Sequence, residues 1–123
     1  RCFLMNNQKI ELTKESDYLI CKLYKEYLQR RMEKMPKTEA KCFGSSAEIH
    51  SELMPDALYE DVDETCRELE RAGLLKCQKS DFDVLDSEFT DKAIIYMENR
   101  FSNNLKEIAD NLSRIKQFIN PFS

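Results

Sequence analysis

Side chains that commonly carry chemistry are thinly spread in this sequence. His50 is the single histidine, so no His-His metal pair exists and any Ser-His or Cys-His nucleophile arrangement has one base to draw on. It reads as an ordinary residue of a short helix. The cysteines at 2, 21, 42, 66 and 77 form no CxxC pair; a zinc site would have to gather distant thiols, and an odd count suits reduced thiols in a reducing compartment. Cys21 and Cys66 lie at apolar helical spacing and read as small core residues, whereas Cys42, in a polar connector, is the thiol expected to react. Asp61, Asp63 and Glu64 lack the glycine and the spacing of a calcium loop. Gly44 and Gly73, the only glycines, cannot build a phosphate-cradling loop. The expectation is therefore no catalytic residue, no metal and no cofactor. Tyr18, Tyr24, Tyr27, Phe43 and Tyr59 could line a ligand pocket, but aromatics at helical spacing read first as core.

The elements around these residues follow from spacing and caps. Thr13 or Ser16 caps a first helix, read over about residues 16–35, whose Leu19, Ile20, Leu23, Tyr24, Tyr27 and Leu28 recur at helical spacing until Pro36. A polar connector over 35–44 leads to Ser45, which with Glu48 forms a capping box for a short second helix ending at Pro55. A third helix starts near Asp56 or Tyr59, carries Val62, Cys66 and Leu69 on one face, and exits through Ala72 into Gly73. Residues 76–79 and 82–89 flank a Ser80-Asp81 turn and read as a hairpin. Thr90 then caps a fourth helix, with Asp91 favourable beside its positive end. Phe101, Leu105, Ile108, Leu112, Ile115 and Ile119 form a narrow seam at spacings of 4, 3, 4, 3 and 4. Ser102-Asn103-Asn104 either breaks this stretch or is crossed by one continuous helix.

The fold class expected from these elements is mainly α with a small β-hairpin. With 123 residues, 41% hydrophobic and 34% charged, the chain fits one domain able to bury its own core. It divides into a tail over 1–12, a domain over 13–101 and a C-terminal helix over 102–123. Met5 is a candidate natural start behind Arg1 to Leu4. No apolar run is long enough to span a membrane and no secretory signal pattern stands at the N-terminus, so a cytoplasmic setting is expected.

Two segments carry a family resemblance. Arg67-Glu68-Leu69-Glu70-Arg71-Ala72-Gly73-Leu74-Leu75 resembles the recognition-helix exit of winged helix-turn-helix regulators of the MarR and PadR kinds. Phe89-Thr90-Asp91-Lys92-Ala93 looks like their wing-to-helix junction. The plan also resembles that of small phage-associated proteins such as the YjcQ-like group. The resemblance covers about residues 16–100 and implies a winged helix-turn-helix with an extended C-terminal helix. In many such proteins the third helix enters the DNA major groove and the hairpin touches the backbone. The terminal helix invites comparison with PadR-like regulators, which dimerise there.

The charge pattern opposes that contact. From Asp56 to Arg71 seven acids stand against two bases, a balance of -5, and residues 80–91 hold five acids and no base. Four carboxylates near the start of a recognition helix, Glu60, Asp61, Asp63 and Glu64, would meet a phosphate lattice of like sign. Bases gather instead over 22–41, where seven against three acids give +4. The preferred expectation is a non-enzymatic interaction module that meets a protein partner through Glu60, Asp61, Asp63, Glu64, Arg67, Asp81 and Asp83. The alternative is a DNA-binding regulator touching duplex through Arg30, Arg31, Lys34, Lys37, Lys41, Arg67, Arg71, Lys76 and Lys79, and an enzyme is a distant third. The seam from Phe101 to Ile119 either packs on its own domain or pairs across a two-fold axis; the second is preferred and gives a homodimer.

Overall fold

The structure is a computed structural model that describes residues 10–119; Cys2, Met5 and most of the expected N-terminal tail lie outside the described residues. Among the described residues six helices and one two-stranded antiparallel hairpin follow in the order α1 (Lys14–Met32), α2 (Lys37–Ala40), α3 (Ser46–Leu53), α4 (Tyr59–Arg71), β1 (Leu75–Lys79), β2 (Val84–Phe89), α5 (Asp91–Phe101) and α6 (Leu105–Ile119). The mainly helical class with a small hairpin is observed.

Local chemistry sets most element ends. Thr13 Oγ1 accepts from the Ser16 amide at 3.1 Å to start α1, and Glu15 and Asp17 sit in its first turn, where carboxylates favour the helix dipole. The helix closes at Met32 rather than near 35. Lys34 takes a φ of 69° and the Met35 amide donates back to the Arg30 carbonyl at 2.9 Å, a left-handed exit that stops the helix before Pro36 does. Inside the expected connector lies the four-residue α2. Ser45 and Glu48 complete the expected capping box: Ser45 Oγ accepts from the Glu48 amide at 3.1 Å, and the Glu48 carboxylate accepts from the Ser45 amide at 2.8 Å.

Helix α4, the third helix of the sequence reading, ends as its glycine predicts. Gly73 adopts a φ of 83° and the Leu74 amide reaches the Leu69 carbonyl at 2.9 Å. Thr90 joins this exit to α5: its hydroxyl donates to the Gly73 carbonyl at 2.8 Å and accepts from the Ala93 amide at 3.0 Å. In the hairpin Leu75 faces Phe89 and Cys77 faces Ser87, with an irregularity between Gln78 and Lys79. The second strand starts at Val84, because residues 80–83 form a turn in which Ser80 Oγ accepts from the Asp83 amide at 3.0 Å. The free edge of β2 is met by the chain before α3: the Phe43 amide donates to the Ser87 carbonyl at 3.0 Å and the Phe89 amide to the Lys41 carbonyl at 2.8 Å.

The core is centred on α1. Tyr24, Tyr27, Phe43 and Phe89 pack ring on ring with centroids 6.0–6.4 Å apart, so three of the five aromatics considered for a ligand pocket are core. Ser102 breaks α5 from α6 with a φ of 55°, and its carbonyl accepts from the buried Tyr24 hydroxyl. Asn104 Oδ1 then accepts from the Glu107 amide at 3.1 Å to start α6. The structure shows the first of the two expected uses of the seam. Ile108, Leu112 and Ile115 are buried within this one chain, Phe101 and Leu105 are half-buried against the same core, and α6 packs along α1. The middle of the seam is thus spent on its own domain, while Phe118 near its end is exposed.

Candidate functional site

The acidic residues of α4 divide into a structural set and an outward set. Asp63 is only 8% exposed. Its Oδ1 accepts from Ser46 Oγ at 2.8 Å and from the Val84 amide at 2.9 Å, and its Oδ2 accepts from Arg67 Nε at 2.9 Å. One carboxylate thus ties α4 to the start of α3 and to the start of β2. Burial pushes its pKa up, but the hydrogen bonds from Val84, Arg67 and Ser46 and the Arg67 charge outweigh burial and hold the carboxyl below its ordinary value. Glu68 accepts from the Ser16 hydroxyl at 2.7 Å and the Thr13 hydroxyl at 3.1 Å, fixing the start of α1. Asp63 and Arg67 are therefore removed from the expected partner surface, because each is spent on the other and on the packing of α4.

Glu60, Asp61 and Glu64 face outward, and Asp81 is exposed on the hairpin turn. Asp83 is half-buried and accepts from the Tyr59 hydroxyl at 2.5 Å; its expected contact role gives way to holding the turn against the start of α4. Two exposed apolar side chains that the sequence reading missed stand next in the chain to these residues. Leu58, just before α4, is 67% exposed, and Phe82, at the turn, is 84% exposed. Phe82 had a legible signal, since an aromatic between Asp81 and Asp83 in a tight polar turn has no core to enter. The exposure of Leu58 depends on how α4 is docked, which spacing does not reveal.

The cations proposed for duplex contact are largely committed elsewhere. Arg30 pairs with Glu26 at 3.1 Å, donates to the Cys42 carbonyl at 2.8 Å and lies over the Phe43 ring at 4.6 Å, so it clamps the connector onto α1. Lys41 bonds Asp91 at 2.9 Å, which raises the lysine pKa and lowers that of the aspartate. Arg71 pairs with Glu64 at 3.0 Å. Lys79 pairs with Glu70, and that hydrogen bond holds the Glu70 carboxyl below its ordinary value. Arg30 and Lys41 are thus structural. Arg31, Lys34, Lys37 and Lys76 remain exposed, and only Lys37 has an ion-pair partner among the described residues, a loose 3.9 Å approach to Asp91.

Cys21, Cys42, Cys66 and Cys77 are free thiols. Burial pushes the Cys21 thiol to about 11 and the Cys66 thiol to about 12, while Cys42 is exposed. Alkylation of the native protein followed site by site by mass spectrometry should therefore modify Cys42 about tenfold or more faster than Cys21 or Cys66. Equal rates would show that α1 and α4 open readily. His50 Nε2 lies 2.8 Å from the Ala57 carbonyl and the ring packs edge-on against Tyr59, which makes it a brace of the α3–α4 turn. No group of three His, Cys, Asp or Glu is placed to hold a metal, and no helix is long and apolar enough to cross a membrane, among the described residues.

No family model, curated protein or solved structure matches this chain.

Proposed function

We propose that the chain is a non-enzymatic winged helix-turn-helix module that binds a protein partner through the outward face of α4 and the hairpin turn. The winged-helix reading is supported by element order: α1, an edge segment at 41–43 paired to β2, then α3, α4 and the hairpin. The observation that carries the partner reading is Phe82, 84% exposed on the hairpin turn that the Tyr59–Asp83 bond holds against the start of α4, with Asp81 exposed beside it and Glu60 exposed on α4. An aromatic side chain held out on a tied turn and flanked by charge is suited to anchor a protein partner. A phosphate backbone would meet carboxylates here, and the cations of the same face, Arg67, Arg71 and Lys79, already have carboxylate partners. The matching partner surface offers apolar side chains among lysines or arginines.

The test is affinity capture of polypeptides with the wild-type chain and with Phe82→Ser and the double variant Glu60→Lys/Glu64→Lys, each checked for native circular dichroism. A polypeptide held by the wild type should bind each variant at least about tenfold more weakly, the size of a hot-spot loss. Equal retention by all three proteins would sink the proposed surface.

A further inference from the structure

A cavity of about 350 Å³ opens between α1, the α3–α4 turn, α4 and the end of α6, with Leu58 and Asp61 at its rim. Its size lies within the range of small-ligand pockets. The buried Met54 and Val62 give it an apolar floor and the half-buried Tyr18 ring a wall. Lys22 from α1 and Lys116 from α6 both reach it.

The charges around the cavity are unequal in their surroundings. Glu15, Asp56 and Asp61 also border it, but all three are exposed, so water and salt screen them. Lys22 is half-buried, with its ammonium 5.6 Å from the centre of the Tyr18 ring. Among the described residues neither Lys22 nor Lys116 takes part in an ion pair. Burial, then Lys25 and Lys116, penalise the charged form of Lys22, and Asp56 offsets this only in part. The least solvated charge at the cavity is thus Lys22, which has the exposed Lys116 near it and only the distant, exposed Asp56 to offset it, and an anion placed there offsets both the desolvation and the lysine-lysine repulsion.

We propose that this cavity binds a small organic monocarboxylate with an apolar body, the carboxylate received by Lys22 and Lys116 and the body by Tyr18, Met54 and Val62. The groups that receive the ligand, Lys22, Lys116, Tyr18, Met54 and Val62, are not among those proposed to meet the protein partner. The probe is phenylpropionate, titrated into the full chain by amide-resolved NMR, with phenylpropionamide as the neutral isostere and phenylpropylamine as the cation. Phenylpropionate should saturate with a Kd near or below about 1 mM and shift the amides around Tyr18 and Met54. The amide, the amine and the Lys22→Met variant should each bind at least about tenfold more weakly, the size of a lost charge-assisted hydrogen bond, while Lys22→Arg should keep binding. Should Lys22→Met not fold, Lys116→Met supplies the same comparison. Equal binding of acid and amide, shifts located elsewhere, or no saturation would each overturn the proposal.

Discussion

Replacing Asp63 with alanine is expected to lower the free energy of unfolding by about 2–4 kcal/mol, because the Val84 amide and the Ser46 hydroxyl lose their acceptor and Arg67 loses its partner in a site largely closed to water. The cost is one of orphaned donors, so Asp63→Asn, which keeps the shape and one acceptor oxygen, should cost less. A pH dependence accompanies it. The native carboxyl is held below its ordinary value, so its contribution is complete above the ordinary aspartate pKa of about 3.9 and is lost as the pH falls through the native value. Denaturant unfolding at neutral pH and near pH 3 should therefore show a larger acid loss for the wild type than for Asp63→Asn. Identical losses would mean that the carboxylate is not tied as described.

The second large effect is expected at Ile108. This side chain has no exposed surface within a single chain, and Ile108→Ala should cost about 2–5 kcal/mol through lost burial and a cavity. The two accounts of the α6 seam differ in how that cost depends on protein concentration. A seam packed on its own α1 gives an unfolding midpoint independent of concentration, in wild type and variant alike. A two-fold seam gives a midpoint that rises with concentration, and that result would restore dimerisation through this face.

What was legible in the sequence was local. The Ser45–Glu48 box, the Thr90 cap and the Gly73 exit each rest on residues at most a few positions apart, so spacing alone announces them. The four-residue α2 lacked both a side-chain cap and a repeating apolar stripe and was hidden in a polar connector. The partner surface was half legible. Glu60, Asp63 and Glu64 look alike in a row of helical acids, yet Asp63 turns inward because Ser46 and Val84, 17 and 21 residues away in sequence, offer donors to it. The seam from Phe101 to Ile119 was half legible for a related reason. A 4-3 spacing fixes which side of a helix is apolar and leaves open whether α1 or a second copy covers it.

The partner reading rests on the claim that this chain holds a protein rather than nucleic acid, and binding of mixed-sequence duplex DNA at low and at moderate salt tests it most directly. No binding is expected even at low salt, where an electrostatic contact is strongest. Binding that weakens steeply with salt and disappears in an Arg31→Glu/Lys34→Glu variant would contradict the account and make the basic end of α1 a duplex contact.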